Sequence, residues 1–470
     1  MYLSLLFHQR RENCPKLYLS LLSCCLALPL FFAVCFAEPA LALPAESKII
    51  FQADTFSGAL EWDEASQRDE IRPEFFVAEK PSLLGPGSLG LYGASNYLAR
   101  GCWRKVVPGI IAGKHYRFEA SYFTRGVDYP RLKVFARLEW RDSEGKETGK
   151  RAYVPETDYQ NEWQKVEGTF RAPQGAQAVS IELYLSHCAQ GRAYWDAITL
   201  TEIPDPPKRP VRLGTVNCRP SGHKSSMESV EDFCQVAEEA GRKGCDIVCL
   251  GEGINMVGVA QGNTYAHYYD IAEPVPGPTT RRLGEVASKY KMYIVAAIGE
   301  REGRAIYNTA VLIDRRGEVV GKYRKVYLPE MELDDGCQPG DSYPVFDTDF
   351  GRVGIMICYD SWYVDPARAL ALQGAEIILL PIWGGDSTLI RARAIENHTY
   401  LASCGYDCAS VIYDPWGTLL ARASERPGVA ITEIDLNYPP PCPYPWPLND
   451  MRLMLLHERR SDVQVPASKR

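Results

Sequence analysis

Basic runs are missing from this sequence. Its formal net charge is −7 and its isoelectric point about 5.7, so nothing electrostatic points to a nucleic-acid partner. Histidine is sparse, with seven in 470 residues. Neither those beyond the N-terminal segment (His115, His187, His223, His267, His398 and His457) nor the scattered cysteines fall at metal-ligand spacings. No metal and no organic cofactor is therefore expected. After residue 37 there is no apolar run long enough to cross a bilayer, which takes about 20 residues. The chain also lacks structural repeats and low-complexity tracts, which argues against a solenoid or a disordered scaffold.

What is present is ordinary globular composition, 46% hydrophobic and 24% charged, with length for two domains. The N-terminus departs from it. Arg10, Arg11 and Lys16 precede the uncharged run LYLSLLSCCLALPLFFAVCFA (17–37), and an Ala-x-Ala-like site follows at Ala40-Leu41-Ala42. Basic flank, apolar core and small-residue exit predict that residues 1–42 are a secretory signal and that the protein is exported, secreted or periplasmic. Because the run is long for a signal, a membrane anchor over 17–37 is the alternative. A misplaced start is a third reading, since YLSLL occurs at both 2–6 and 18–22. Of fifteen cysteines, Cys14, Cys24, Cys25 and Cys35 lie in or before this segment, leaving eleven. An odd number leaves at least one free thiol in an oxidising compartment. Cys102 and Cys188, the only two in the first domain, are candidates to pair.

From about residue 48 to 203 the hydrophobic period is two. In RLKVFARLEW, Leu132, Val134, Ala136, Leu138 and Trp140 share one face, and Arg131, Lys133, Arg137 and Glu139 the other. HYRFEASY (115–122) and AVSIELYL (178–185) alternate likewise, with turn residues between such runs at 143–146 and 172–175. Short half-buried strands without a convincing helix predict an antiparallel β-sandwich over 48–203. EIPDPPKRPVR (202–212) carries four prolines, and predicts a stiff linker at 204–210. From 211 to 460 strands alternate with helices. Ser225 and Glu228 have capping-box spacing, and Val230, Phe233, Cys234, Ala237 and Ala240 recur at helical spacing. CDIVCL and MYIVAAIGE read as strands, YNTAVLID and GEVVGKY as a hairpin, DPARALALQ as a helix, AEIILLPIW as a strand, and TLIRARAIENHTYLASCG as one longer helix. This is an α/β domain.

Three strand exits in it carry reactive groups: Glu252 after CDIVCL, Lys325 after GEVVGKY, and Cys358 in GRVGIMICYDSWY. Loops at strand ends are where α/β proteins do chemistry. Singly, each has an ordinary explanation: a buried cysteine as core filler, a glutamate as a cap, a lysine as part of the basic surface with Lys322 and Arg324. Together they form a nucleophile with an activator that needs no histidine. Glu252 can take the thiol proton, with burial raising its pKa to suit. Lys325 can lower the thiol's pKa and meet the oxyanion formed on attack.

Residues 211 to about 440 resemble the nitrilase, or carbon–nitrogen hydrolase, superfamily. The matching segments occur in the family's order: CDIVCLGEG, AEPVPGPTT, YIVAAIGEREGRAIYNTAVLID, GEVVGKYRKVYLPEME, FGRVGIMICYDSW and RARAIENHTY. The resemblance implies a four-layer αββα sandwich and a Glu252–Lys325–Cys358 triad acting through a cysteine thioester on an amide or carbamoyl amide. A nitrilase or an N-acyltransferase using the same triad, and a non-catalytic surface-binding protein, are the alternatives. It also implies a second glutamate after the lysine, which Glu332 matches best and Glu330 second, and a homo-oligomer. The chain departs from the family at Gly251, where relatives often have proline. Tyr359, Trp362 and Trp383 are pocket candidates, and the backbone N–H of Tyr359 an oxyanion donor. True nitrilases usually follow the nucleophile with tryptophan and glutamate, whereas Tyr359-Asp360 is the pairing of amidases. The first domain resembles galactose-binding-like, jelly-roll-like modules, which implies a carbohydrate or other surface ligand.

Overall fold

The computed structural model describes residues 47–53, 61–160, 162–261 and 264–441, and Val463. The segment read as a signal or anchor lies outside these residues, and no helix among them is long and apolar enough to cross a membrane.

Between Lys48 and Ile203 antiparallel strands form two sheets. One has seven strands, in the order Glu74–Ala78, Ser88–Tyr92, Arg192–Ile203, His115–Arg125, Trp163–Arg171, Glu156–Gln160, with Lys48–Gln52 also paired to Arg192–Ile203. The other has five: Asp63–Ala65, Arg100–Pro108, Ala178–Ser186, Val134–Arg141 and Ala152–Tyr153. Tyr116, Phe118 and Trp195 of the first sheet meet Trp103, Leu138 and Leu183 of the second in one core. Alternation places Val134, Ala136, Leu138 and Trp140 in that core as expected, while Leu132 belongs to a short preceding helix, Pro130–Lys133. The charged face of the same strand is also buried. Arg137 bonds the Glu182 carboxylate and the Tyr184 hydroxyl, each at 2.7 Å, which offsets the cost of burying both charges.

The expected pairing of Cys102 with Cys188 is not made: both thiols are free. Cys102 packs against Phe135, Tyr153 and Tyr184 on the outer face of the five-stranded sheet, whereas Cys188 lies in the core between the sheets. Cys102 lies on a strand and Cys188 in the turn after Ala178–Ser186, on opposite sides of one layer.

The proline-rich connector has no regular structure between Ile203 and Pro210, and it is strapped down. Asp205 pairs with His115 at 2.8 Å, and Tyr438 and Asn437 donate to the carbonyls of Pro206 and Pro207 at 2.9 and 2.6 Å.

The remainder is α/β. One six-stranded sheet runs Val319–Arg324, Ala305–Ile313, Tyr293–Glu302, Ile247–Cys249, Pro210–Asn217, Gly428–Asp435. A second runs Val345–Asp347, Arg352–Ile355, Ile377–Pro381, Tyr400–Cys404, Ser410–Tyr413, Leu419–Ala423. Each has three parallel strands at its centre. Val248, Val295, Ile355, Leu379 and Ala402 share one core between them, and Thr215 Oγ1 donates across to the Ser403 carbonyl at 2.7 Å. Helices Asp365–Leu372 and Ser387–Asn397 cover Met356, Ile378 and Leu380 on the far face of the second sheet. Helices Ser226–Arg242 and Pro278–Tyr290 join the core of the first. Ser225 caps its helix by accepting from the Glu228 N–H, but Glu228 returns its bond to Lys224, one residue early, so the expected box is half closed.

The long helix expected over TLIRARAIENHTYLASCG is broken. It stops at Asn397, His398 turns the chain at φ +49°, and Tyr400–Cys404 is a strand. All five strand residues are buried, and a central strand covered on both faces loses the alternation that would separate it from helix.

Candidate active site

The three reactive groups converge. Each leaves its strand on a short loop: Glu252 beyond Ile247–Cys249, Lys325 directly after Val319–Arg324, Cys358 beyond Arg352–Ile355. Lys325 is 1% exposed and Glu252 2%. Lys325 Nζ donates to Glu252 Oε1 at 2.9 Å and to Glu332 Oε1 at 2.6 Å. Glu332 is buried in the short helix Glu330–Asp334, while Glu330 faces solvent, so of the two candidates for the second glutamate it is Glu332 that reaches the lysine.

Cys358 begins a 3₁₀ turn, Cys358–Trp362, at φ +42°. A non-glycine residue is strained there, and such strain persists only where surroundings over-determine it. Asp360 supplies the restraint. Its buried carboxylate accepts from the Ile357 N–H (2.9 Å), the Tyr323 hydroxyl (2.7 Å) and the Tyr327 N–H (3.1 Å). One side chain thus ties the cysteine turn to the lysine loop. Burial pushes Asp360 up to about 6 against those three bonds.

The electrostatics sort the roles. Burial disfavours the Lys325 ammonium, but Glu252, Cys358 and Glu332 outweigh it, so its pKa rises and the charge stays. Burial pushes Glu332 up to about 7; Lys325 pulls it down and Glu252 pushes it up again. For Cys358, burial and then Glu252 raise the thiol, and the pull of Lys325 and of the Trp383 N–H does not overcome them. The lysine acts on the thiol in the expected direction, and burial outweighs it.

Glu252 is held from behind. Its Oε2 accepts from the Trp383 N–H at 2.7 Å, and its carbonyl accepts from the Tyr406 hydroxyl at 2.7 Å. A Cβ on Gly251 would sit 2.2 Å from that hydroxyl, which accounts for glycine where relatives often carry proline. The Trp383 ring packs edge-on to Tyr406 at 5.1 Å. Tyr359 is half-buried beside Tyr363, their rings 5.5 Å apart. Trp362 is 54% exposed and stands on the solvent side of the turn.

Sequence reasoning passed over two residues here. Tyr268, in the short helix Tyr268–Ile271, is buried, and Glu332, Glu252 and Cys358 all act on its phenol, whose pKa burial raises. Asn308, in the middle of Ala305–Ile313, donates from Nδ2 to Glu252 Oε1 at 2.9 Å and Glu332 Oε1 at 3.1 Å. An amide side chain inside a strand whose second half, Ala310–Ile313, is wholly apolar was the available signal for it.

Residues 216–443 match the carbon–nitrogen hydrolase family. The mouse omega-amidase NIT2 is 29% identical over 287 residues, 55% of this chain and 98% of that protein. The Bos taurus omega-amidase NIT2 is 30% identical over 254 residues, covering 48% and 88% respectively. The mouse deaminated glutathione amidase is 29% identical over 280 residues, covering 52% and 83%. Among solved structures, Saccharomyces cerevisiae Nit3, a member of branch 10 of the nitrilase superfamily, is 24% identical, with a TM-score of 0.43, over 48% of this chain and 90% of that one. By sequence and by relatives, this chain belongs to the nitrilase superfamily and is an amidase-like carbon–nitrogen hydrolase.

Proposed function

We propose that the protein hydrolyses a small amide to an acid and ammonia or an amine through a thioester on Cys358. One observation carries this reading: a half-buried cysteine at a strained turn stands with a buried carboxylate pair that shares a single lysine. Glu252 takes the proton from Sγ as sulfur bonds to the carbonyl carbon. Lys325 and the backbone N–H of Tyr359 hold the oxyanion. The proton on Glu252 passes to the departing nitrogen as the C–N bond breaks, leaving the thioester. Glu252 then deprotonates a water, which adds to the thioester carbon; the C–S bond breaks, the acid leaves, and Glu252 returns its proton to the Cys358 sulfur. Glu332 Oε2 is buried without a partner, which supports a role as acceptor for the substrate's N–H. A nitrile offers no such hydrogen. That, the Tyr359-Asp360 pairing and the amidase names of the relatives favour amide over nitrile, and the omega-amidases suggest a terminal (omega) amide.

Two six-stranded sheets with a shared core and helices beyond them support a four-layer αββα arrangement. Two antiparallel sheets about one core support a galactose-binding-like β-sandwich at 48–203. A cleft of about 330 Å³ beside Tyr122, Arg131, Glu156, Tyr159 and Gln164 is a place for a sugar or other surface ligand.

The test is a screen for ammonia release across matched amide and nitrile pairs with the same side chain. A higher kcat/KM for the amide in each pair is expected. A consistent preference for nitriles would overturn the amide reading.

A further inference from the structure

We propose that Asn308 is a positioning residue of this reaction: its side-chain amide clamps the Oε1 atoms of Glu252 and Glu332 onto Lys325, so that each carboxylate offers its other oxygen to the chemistry. This rests on the catalytic reading above and adds to it a residue that touches neither the thiol nor the reacting carbon.

The geometry is a closed ring. Asn308 Nδ2 reaches Glu252 Oε1 and Glu332 Oε1 at 2.9 and 3.1 Å. Lys325 Nζ reaches the same two oxygens at 2.9 and 2.6 Å. An amide nitrogen has two hydrogens, and both are spent. An ammonium has three, so one remains for the oxyanion. The orientation of the amide follows from chemistry: a flip would set Oδ1 against two carboxylate oxygens, acceptor against acceptor. Asn308 also fixes the lysine from its main chain, because its carbonyl accepts the Lys325 N–H at 2.9 Å.

The other end of the amide is left unsatisfied. Asn308 is wholly buried, and its Oδ1 has no hydrogen-bond partner. Buried acceptors are nearly always paired, and exceptions gather at functional sites. A residue kept only for packing would be better served by an apolar side chain of the same shape.

The carboxylate pair is faced by Lys325 from the loop after its strand, by Cys358 from the 3₁₀ turn, by Tyr268 from its short helix and by Cys337 beyond Glu330–Asp334. Lys325 is the only cation in that set. Hydrogen bonds to a carboxylate favour its ionised form, and the bond from Asn308 lowers Glu332 in this way. Removing the amide therefore moves protonation of Glu332 to higher pH.

The test uses the full chain with Asn308→Leu, which keeps the shape and removes both donors, and Asn308→Asp, which burial beside two carboxylates keeps protonated and able to donate once. Two profiles against pH are measured. One is kcat and KM for the amide found in the ammonia screen. The other is the rate of Cys358 alkylation by iodoacetamide, which needs no substrate. For Asn308→Leu, kcat is expected to fall about 10–100-fold with KM nearly unchanged, and the acid limb of both profiles to rise by about one pH unit. Asn308→Asp should show a smaller shift of the same sign. A folded Asn308→Leu protein whose acid limb coincides with wild type in both profiles overturns the proposal, whatever its kcat. Should that variant fail to fold, an unshifted alkylation profile in Asn308→Asp overturns it instead. Failure of the amide reading looks different: wild type releases no ammonia, yet its alkylation profile still moves when Asn308 is replaced.

Discussion

A thiol served by one carboxylate base and one lysine makes three side chains unequal in a measurable way. Cys358→Ala should abolish turnover, because without Sγ no thioester can form. Glu252→Gln should abolish it as well, since an amide cannot take the proton. Lys325→Ala should reduce kcat by a factor of about 10² to 10³, the usual result of losing one oxyanion donor. Circular dichroism checks that the three proteins remain folded. Asp360 makes a prediction about stability. Its folded pKa, about 6, lies above the ordinary aspartate value of 3.8, so its contribution to stability is full below about pH 4 and is lost as pH rises through about 6. A shift of that size corresponds to roughly 3 kcal/mol. Asp360→Asn should be less stable at low pH, because its NH₂ cannot accept all three bonds. It should also lose less stability than wild type between pH 4 and 7. Denaturant melts at those two pH values measure the difference, and an equal loss in both proteins would contradict the assignment.

At the scale of elements, the site is a product of strand exits, and this decides what could be read from sequence. Glu252, Lys325 and Cys358 stand where apolar periodicity stops, so a reactive residue is visible against its background. Asn308 lies inside a strand beside Tyr307 and Thr309, where a polar residue does not stand out, and its role depends on two carboxylates far away in sequence. The Tyr400–Cys404 strand was hidden for a different reason: Tyr400, Ala402 and Cys404 face the core between the sheets and Leu401 packs under the helix Ser387–Asn397, so both faces are apolar and the period-two pattern is erased. The positive φ at His398 that separates it from the helix has no marker in the residue type, as a glycine there would have given. Gly251 shows the opposite case, a departure from the family pattern that structure explains through Tyr406. Gly251→Ala should push the Tyr406 hydroxyl off the Glu252 carbonyl. It should cost about 1–3 kcal/mol in stability and lower kcat with it. A variant with wild-type melting temperature and turnover would show that this contact does not hold the glutamate.

Over the whole molecule, the two regions are joined by a connector that is proline-rich yet bound at Asp205, Pro206 and Pro207. The passage from antiparallel sheets to alternating strands and helices was legible as a change of period from two to helical spacing; the strapping was not, because His115 and Tyr438 are remote in sequence from Asp205 and Pro206. Residues 48–203 have a core of their own and are expected to fold alone. Their deletion should leave hydrolysis of a small soluble amide within about threefold of wild type if the first region only targets the enzyme. A folded truncation without activity would show instead that it helps to build the site. The claim on which the account depends is the covalent intermediate. Rapid quenching of the enzyme during turnover of an amide substrate, followed by peptide mass spectrometry, tests it most directly. The expected result is an acyl group on Cys358 that is absent from the Cys358→Ala protein, which should also be inactive. Wild-type turnover by Cys358→Ala, with no acylated cysteine in the native enzyme, would contradict it.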